Sequence, residues 1–467
     1  MTTPAPVTTF DSLSLNPSLL NNLTSLGYHQ PTSIQTQSLP IILAGEDLIA
    51  QSKTGSGKTA AFGLGLLQQL DSKDFTIQGL VLCPTRELAD QVAEEIRRLA
   101  RQMPNVKVLT LCGGSNLAAQ QSSLQQGAHI IVGTPGRIEE HLRQQTLSLS
   151  GLKTLVLDEA DRMLEMGFQP AIEAILATLP TPRQTLLFSA TFPDAIAQMA
   201  SHVMHNPITI KVAIQHEPSS INQAFYKVDT PEQRFKATRL LLLQHRPDAC
   251  VIFCNTKKDA QTVADQLLDA GFSAAALHGD LEQRDRDQTL IQFANHSIAV
   301  LVATDVAARG LDISDLDGVI NYHLAQDPEV HIHRIGRTGR AGQTGWAASL
   351  ISDKESYKVA MLGDYLGQTI VTSSLPHDSL LQQPPLQATM TTLQLDAGKK
   401  DKLRPGDIVG ALTANPELQA EQIGKIKVTD VRSYVAVSRH LAKQTLAHLN
   451  NNKLKGKKVR VKRLTIG

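Results

Sequence analysis

The sequence predicts an α/β protein in which two tandem parallel-sheet domains are followed by a small α+β domain. Short apolar and β-branched runs alternate with helix-length segments in both halves of the chain, which is typical of buried parallel strands. Beyond residue 389 the order changes to strand, helix, strand, strand, helix, strand (βαββαβ). A stretch rich in proline and glutamine separates the two patterns. We therefore expect domains at 1–215, 218–372 and 389–467, with a linker at 373–388.

Length and composition fit this organisation. The chain has 467 residues, of which 42% are hydrophobic and 19% charged, enough for about three domains of roughly 150 residues. It contains no apolar run of the roughly 18 residues that a membrane span requires, and its first residues lack the features of a secretory signal. Its four cysteines lie in or beside apolar runs without a C-x-x-C pair, which favours reduced core residues over a zinc site. We expect a cytoplasmic protein without membrane contact.

Residues 52–59, SKTGSGKT, are predicted to form a phosphate-binding loop between a strand-like run at 47–51 and a helix-like run at 60–70. Closely spaced glycines let backbone N–H groups turn toward phosphate oxygens, a lysine adds a point charge, and a hydroxyl can bind Mg²⁺. The expected ligands are Ser52, Thr54, Gly55, Ser56, Gly57, Lys58 and Thr59. The strict pattern has glycine at the position of Ser52, so a glycine-rich turn is the alternative.

An acidic quartet follows a second strand-like run, about one hundred residues after the phosphate loop. Residues 154–157 form a short apolar run that ends in Asp158-Glu159-Ala160-Asp161. Asp158, together with Thr59, would hold Mg²⁺, and Glu159 could orient and deprotonate the water that attacks the γ-phosphate. Taken alone, such a quartet is more often solvated surface. Its place after a buried strand, downstream of a phosphate loop, favours the catalytic interpretation.

Further short motifs follow in a fixed order along the chain. They are Phe10 with Gly27, Pro31, Thr32, Ile34 and Gln35; PTRELA at 84–89; Gly113-Gly114; TPGR at 134–137; SAT at 189–191; ATDVAARGLD at 303–312; and HRIGRTGR at 333–340. In this order they resemble the motifs of the DEAD-box RNA helicases, a family whose core consists of two RecA-like domains. The resemblance covers about residues 10 to 345.

The resemblance implies an ATP site with contributions from both core domains. Phe10, Thr32 and Gln35 would read adenine, while Lys58, Asp158 and Glu159 would act on the phosphates. From the second domain, Gly310 and Asp312 would contact the nucleotide. Arg337 and Arg340 would be arginine fingers, which raise the rate of hydrolysis by roughly 10³- to 10⁵-fold. An arginine-rich helix face is the alternative, but the interleaved glycines favour a tight loop. Residues that would couple hydrolysis to strand separation are Asp161, Ser189, Thr191 and His333.

The resemblance also implies contacts with the RNA sugar-phosphate backbone in both core domains. In the first domain these residues are Pro84, Thr85, Arg86, Gly114, Thr134 and Arg137. In the second they are Gly279, Gln283, Arg286 and Thr304. The Q-x-x-R pair at 283–286 is short and can occur by chance.

Charge distinguishes the C-terminal domain from the core. Residues 391–467 carry 16 Lys and Arg against 6 Asp and Glu, whereas the rest of the chain carries 29 against 38. This basic excess suits phosphate backbones. The expected contacts are Lys453, Lys455, Lys457, Lys458 and Arg460. A solvated basic tail is the alternative, although 457–466 alternates like a strand.

The βαββαβ order is that of an RNA recognition motif, but its predicted sheet offers few aromatic residues. Such domains present two or three aromatics for base stacking, whereas here the third strand offers only Tyr434 and the first strand none. Base stacking on this sheet is therefore in doubt, and Tyr434 could equally be a core residue.

A narrower resemblance concerns the C-terminal segments at 399–400, 404–413, 423–426 and 434–437, which are similar to one bacterial branch of the family. That branch implies an ATP-dependent RNA helicase that unwinds RNA locally and is targeted to 23S ribosomal RNA in precursors of the large (50S) subunit. The expected cofactors are ATP and Mg²⁺, and the expected state is a monomer that does not act on DNA. An ATP-gated RNA clamp, a general RNA helicase and a DNA translocase are the alternatives.

Overall fold

The computed structural model describes residues 9–52, 56–192, 194–212, 221–308, 316–339, 344–414 and 418–465. These residues fall into two compact units, one up to residue 212 and the other from residue 221 onward. The second unit contains both the second parallel sheet and the C-terminal domain. Five of the predicted site residues lie outside the described ranges, namely Thr54, Gly55, Gly310, Asp312 and Arg340.

The first unit is built on a seven-stranded parallel sheet. Its strands are β1 (Leu48–Gln51), β2 (Gly79–Leu82), β3 (Val108–Leu111), β4 (Ile130–Gly133), β5 (Thr154–Asp158), β6 (Gln184–Ser189) and β7 (Ile208–Lys211). Their spatial order is β3-β4-β2-β5-β6-β1-β7. The central strands are buried along their whole length, as expected of a parallel sheet covered by helices on both faces.

Helices cover the sheet in the described part of this unit. They are α1 (Pro17–Ser25), α2 (Ser33–Leu43), α3 (Lys58–Gln68), α4 (Arg86–Leu99), α5 (Leu117–Gln125), α6 (Pro135–Arg143), α7 (Ala160–Glu165), α8 (Gln169–Leu176) and α9 (Asp194–Val203). Two separate hydrophobic clusters cover the two faces of the sheet. Alternate residues along one strand, such as Leu80 and Val81, belong to different clusters, because successive side chains in a strand point to opposite faces.

The second unit begins with a six-stranded parallel sheet. Its strands are β8 (Ile221–Lys227), β9 (Cys250–Cys254), β10 (Ala274–Leu277), β11 (Val300–Thr304), β12 (Gly318–Asn321) and β13 (Gly345–Ile351), in the order β10-β11-β9-β12-β13-β8. Its helices are α10 (Pro231–His245), α11 (Lys257–Asp269), α12 (Gln283–Ala294), α13 (Asp305–Ala308), α14 (Pro328–Ile335) and α15 (Ser356–Leu366). The prediction of two RecA-like parallel-sheet domains is confirmed.

The C-terminal domain is a four-stranded antiparallel sheet with two helices. Its elements are β14 (Met390–Leu395), α16 (Pro405–Thr413), β15 (Ile423–Val428), β16 (Ser433–Ser438), α17 (Ala442–Asn451) and β17 (Val461–Arg463), and the strand order is β15-β16-β14-β17. The predicted βαββαβ order is confirmed. The last strand covers only Val461–Arg463 of the alternating stretch at 457–466, and a β-bridge between Leu454 and Lys457 closes a turn shortly before it.

The proline-rich segment at 373–388 packs against the second parallel sheet. A short 3₁₀ helix forms at Asp378–Gln382, and Leu386 is buried in the same cluster as strands β9 and β11. Lys236 in α10 forms an ion pair with Asp378 at 2.6 Å. The segment therefore follows the surface of this domain closely.

Within the ranges described above, none of the helices combines the length and apolar character that crossing a membrane requires.

Candidate functional site

Three of the predicted motifs meet at one edge of the first sheet. Strand β1 leads into the phosphate loop, β5 ends at Asp158, and β6 ends at Ser189. These strands are neighbours in the order β5-β6-β1 and run parallel, so their carboxyl ends lie side by side. Ligands of open α/β sheets bind outside this edge.

The predicted phosphate loop is held by the segment that is predicted to read adenine. The Thr32 hydroxyl donates to the Ser56 carbonyl at 2.8 Å, and the Gln35 amide donates to the Gly57 carbonyl at 3.0 Å. Gly57 has a φ of +92° and precedes α3. The left-handed φ favours glycine here, and a Cβ at Gly57 would lie 2.7 Å from the Gln35 amide nitrogen, so the Gln35 side chain would have to leave the loop. These contacts fix the N-terminus of α3, which starts at Lys58 and is the predicted phosphate-binding position.

Lys58 and Asp158 form a buried ion pair at this helix end. The Lys58 ammonium lies 2.9 Å from Oδ1 of Asp158, and both side chains are almost fully buried. Burial alone would lower the pKa of Lys58, but the charges of Asp158 and Glu159 outweigh it and raise the pKa above its usual value. Lys58 is therefore a cation at neutral pH, as binding of the β- and γ-phosphates requires.

The site fits a magnesium ion. Oδ2 of Asp158 is buried and has no hydrogen-bond partner among the described residues. The same residues contain no group of three or more His, Cys, Asp or Glu side chains suited to a metal. Mg²⁺ usually binds to one or two protein ligands, several waters and substrate phosphates, so a single carboxylate with the nearby Thr59 hydroxyl meets its needs.

Glu159 adopts an unusual backbone conformation with its carboxylate held in place. Its φ is +53°, a left-handed conformation that costs a non-glycine residue of order 1–3 kcal/mol and clusters at functional sites. The Arg162 guanidinium donates to Glu159 Oε2 at 2.9 Å, and both side chains are buried. Sequence reasoning missed Arg162, although its spacing of three residues on a helix start indicates a possible pair.

Asp161 connects the acidic quartet to the SAT motif. Its Oδ2 accepts hydrogen bonds from both the backbone N–H and the hydroxyl of Thr191, each at 2.9 Å. Ser189 donates to the carbonyl of Thr191 at 2.6 Å. Burial would raise the pKa of Asp161, but the two bonds from Thr191, with the charges of Lys58 and Arg162, lower it. The structure thus brings together the first-domain residues predicted to couple hydrolysis to strand separation.

Phe10 lies in the core beside a residue that sequence reasoning missed. Its ring meets that of Tyr28 edge to face, with centroids 6.4 Å apart. The Tyr28 hydroxyl donates to Glu95 at 2.7 Å and accepts from Arg98 at 2.7 Å. Both partners belong to α4, so the segment that carries Phe10 is fastened to the helix that begins with the PTRELA motif.

The predicted RNA contacts of the first domain share one stretch of the same sheet edge. Pro84, Gly114 and Thr134 follow the adjacent strands β2, β3 and β4. Thr85 is buried and caps α4 by accepting from the Leu88 N–H. Arg137 is held by Glu140 at 2.9 Å, by Gln120 and by the Ser115 carbonyl; Arg86 forms an ion pair with Asp90 at 3.7 Å. The edge therefore presents backbone groups and fixed guanidinium groups to one surface.

The second domain repeats this arrangement. Gly279 follows β10, and Thr304 ends the neighbouring strand β11. Gln283 and Arg286 lie in the first turns of α12, where the Gln283 amide donates to Asp287 at 2.9 Å. His333 and Arg337 lie in and just beyond α14, and Arg337 is buried.

In the C-terminal domain the predicted basic contacts are exposed, but the aromatic residue is not. Lys453, Lys455, Lys457, Lys458 and Arg460 are all exposed. Lys455 forms an ion pair with Asp407 at 3.1 Å and donates to the Lys402 carbonyl. Tyr434 is only 6% exposed and packs against Leu464 and against Ile291 of the second domain. Its phenol ring is therefore not available for base stacking.

The buried face of Tyr434 belongs to a junction between the C-terminal sheet and the second domain. Thr392 of β14 is fully buried, and its hydroxyl meets the Asn295 amide at 3.1 Å and the Ser297 hydroxyl at 2.7 Å. The Met390 N–H donates to the His296 carbonyl at 3.2 Å. The sheet face that reads RNA in other recognition motifs is here packed against the last turn of α12 and the residues that follow it.

Comparison with known proteins identifies the family. Three family models match along the chain: "DEAD/DEAH box helicase" at residues 32–199, "Helicase conserved C-terminal domain" at 233–342 and "DbpA RNA binding domain" at 392–463. The chain belongs to the DEAD-box ATP-dependent RNA helicases.

Within that family the chain is similar to DbpA-type helicases along almost its whole length. It is 53% identical to the ATP-dependent RNA helicase DbpA of Escherichia coli, covering 98% of this chain and 100% of the relative. It is 37% identical to the protein of the same name in Bacillus subtilis, covering 97% and 98%. Among solved structures, S. cerevisiae Dbp5 bound to RNA and ADP BeF3 matches with a TM-score of 0.72 and 33% identity, covering 80% of this chain and 97% of that one.

Proposed function

We propose that this RNA helicase couples ATP hydrolysis to local unwinding of RNA, and that its C-terminal domain targets it to 23S ribosomal RNA during assembly of the large (50S) ribosomal subunit. The observation that carries the targeting is the match of residues 392–463 to the DbpA RNA binding domain, joined to a complete helicase core. We expect the protein to act in the cytoplasm as a monomer.

The residues at the edge of the first sheet have the chemistry that hydrolysis needs. Lys58 and the N-terminus of α3 bind the phosphates, and Glu159, held by Arg162, orients the attacking water and takes its proton. Thr59 and Asp158 are the groups that would hold Mg²⁺, which would neutralise charge on the β- and γ-phosphates. Thr32 and Gln35 connect the adenine pocket to the loop by hydrogen bonds, so binding of the correct base helps to position the phosphate loop.

The second domain supplies the remaining groups in this proposal. Arg337, with Arg340, acts as the arginine finger, and His333 links to the acidic quartet. Thr304 and Gly279 contact RNA at the ends of β11 and β10. Hydrolysis then depends on RNA, because the finger reaches the nucleotide only when RNA has engaged both domains.

Targeting by the C-terminal domain uses its exposed basic residues and not its sheet face. Tyr434 is buried in the junction, whereas Lys457, Lys458 and Arg460 are exposed. The three cations lie between a turn and strand β17, where they can follow a phosphate backbone. RNA recognition by this domain is therefore expected to depend strongly on salt.

The test is steady-state ATP hydrolysis with no RNA, homopolymer RNA, small-subunit rRNA or large-subunit rRNA. We compare the parent with a triple variant, Lys457→Gln, Lys458→Gln and Arg460→Gln. The parent should respond most strongly to large-subunit rRNA, and the variant should lose that preference while responding to homopolymer as before. The slope of log affinity against log salt should become shallower by about 0.7 for each phosphate that no longer binds a cation.

A matched control removes three exposed positive charges from the first unit by Lys73→Gln, Arg101→Gln and Lys211→Gln. It changes the net charge equally, so a loss of preference in both variants would indicate general electrostatics only. Equal stimulation of the parent by every RNA would overturn the targeting and leave a general RNA helicase. Stimulated ATPase without strand displacement of a short duplex would favour an RNA clamp.

A further inference from the structure

Arg334 in α14 is almost fully buried, with 2% of its surface exposed, and every donor of its guanidinium is engaged. Nε and Nη2 donate to the two carboxylate oxygens of Asp305, each at 2.7 Å. Nη2 also donates to Oδ1 of Asn255 at 3.0 Å. Nη1 donates to the His323 carbonyl at 2.7 Å and to Oδ1 of Asn321 at 3.3 Å. Because a guanidinium has five N–H groups in a rigid fork, these contacts fix its position completely.

The acceptors come from the carboxyl ends of three neighbouring strands. Asn255 follows β9, Asp305 follows β11, and Asn321 and His323 lie at the end of β12. The strands are adjacent in the order β11-β9-β12. A single side chain on α14 therefore fastens the helix to the whole central edge of the second sheet.

The two ends of this contact carry different predicted functions. Thr304, a predicted RNA contact, directly precedes Asp305. His333 adjoins Arg334, and the N–H of Arg337, the proposed arginine finger, donates to the Arg334 carbonyl at 3.3 Å. The ion pair between Asp305 and Arg334 thus joins an RNA-contacting segment directly to a nucleotide-contacting one.

We propose that Arg334 is the positioning residue that couples RNA binding to ATP hydrolysis within the second domain. This rests on the proposed function. When RNA fixes the end of β11, the bidentate pair transmits that position to α14 and sets the place of His333 and Arg337. Arg334 is buried whereas the Asp305 side chain is 24% exposed, and an ion pair of this kind is weak evidence for a purely stabilising role because desolvation of the guanidinium offsets much of the attraction. Its planar, fully satisfied geometry instead specifies the register between two elements.

The decisive variant is Arg334→Lys, which keeps the positive charge but has three donors on a flexible stem and cannot form the fork. Binding of a fluorescent single-stranded RNA to the full chain is measured with and without ADP and beryllium fluoride. In the parent, the nucleotide should tighten RNA binding. Coupling between two sites usually changes affinity by about 5- to 150-fold. In the variant, the nucleotide should tighten RNA binding about tenfold less than in the parent. Each ligand alone should bind within about twofold of the parent.

The same variant separates kcat from KM. RNA-stimulated kcat should fall because the finger is misplaced, whereas KM for ATP should stay within about twofold. A merely structural role would lower both activity and thermal stability without changing the coupling between the two ligands.

Arg234→Lys is the matched control in the same domain. Arg234 is also buried, forms an ion pair with Glu355 at 2.9 Å and donates to the Leu350 and Tyr322 carbonyls. It reaches neither β11 nor α14, so this variant should lose stability and keep the coupling.

The outcomes distinguish a coupling role of Arg334 from a merely structural one. Loss of coupling in Arg334→Lys but not in Arg234→Lys supports the proposal, and preserved coupling or an equal loss in both overturns it. If Arg334→Lys does not fold, Asn255→Ala is used, because Asn255 is exposed and accepts one hydrogen bond from Arg334. Partial loss of coupling in this variant supports the proposal, and unchanged coupling overturns it. A parent without RNA-stimulated ATPase would overturn the proposed function, and the coupling role with it.

Discussion

The junction between the C-terminal sheet and the second domain gives the most quantitative prediction. Thr392→Val replaces a buried hydroxyl by a methyl group of the same shape, which removes the hydrogen bonds with Asn295 and Ser297. Each buried hydrogen bond contributes about 1 kcal/mol, and an Asn295 donor left without its partner adds to the loss. We expect the docking free energy to weaken by about 2 kcal/mol, which is roughly a 30-fold shift toward the undocked state.

The neighbouring residue supplies the control. Thr391 is also buried, but its hydroxyl has no hydrogen-bond partner among the described residues. Thr391→Val should therefore leave docking unchanged or strengthen it slightly, since it removes an unsatisfied polar group.

The assay is single-molecule energy transfer between dyes on Gln266→Cys in α11 and Lys443→Cys in α17, two exposed positions on either side of the junction. The four native cysteines are buried, and burial raises the pKa of each thiol, so they compete poorly for the dyes. Thr392→Val should add an undocked population. Identical distributions for both threonine variants and the parent would refute the reasoning.

Three further predictions concern the core. Burial lowers the pKa of His331 from 6.5 to about 4; protonation therefore favours the unfolded state below pH 6.5. Between pH 7 and pH 5 the parent should lose about 2 kcal/mol of unfolding free energy through His331, and His331→Leu should abolish this loss. Urea unfolding at the two pH values measures it, and an unchanged pH dependence in the variant would contradict the prediction. Gln35→Ala removes the proposed contact with adenine as well as the hydrogen bond to the Gly57 carbonyl, so kcat/KM should fall for ATP more than for GTP; equal losses would argue against base reading. Arg162→Gln should lower RNA-stimulated kcat by about 10² or more at constant KM, with partial recovery in Arg162→Lys, and a rise in KM alone would exclude the proposed positioning of Glu159.

Periodicity predicted the elements well where a strand or helix is set by its own residues. The C-terminal domain has its strands β14, β15, β16 and β17 and its helices α16 and α17 in the order βαββαβ that the sequence predicts. The convergence of the phosphate loop, Asp158 and Ser189 also follows from sequence, because the carboxyl ends of parallel strands share one edge.

The individual side-chain partners of residues far apart in the chain could not be predicted in this way. The partners of Arg334 lie on three strands, separated from it by 11 to 79 positions. The burial of Tyr434 depends on Ile291, which belongs to another domain. A sequence pattern shows that such side chains are polar or apolar, but their partners are determined by packing.

The position of α12 has a mechanical consequence. Predicted RNA contacts lie at its first turn, and the residues that receive the C-terminal sheet directly follow its last turn, about 18 Å away at 1.5 Å per residue over its 12 residues. Tension on RNA held by the C-terminal domain would therefore pass through the contacts of Met390, Thr392 and Tyr434 at this junction and along a hydrogen-bonded helix. The force would arrive at the end of α12 where the predicted RNA contacts lie.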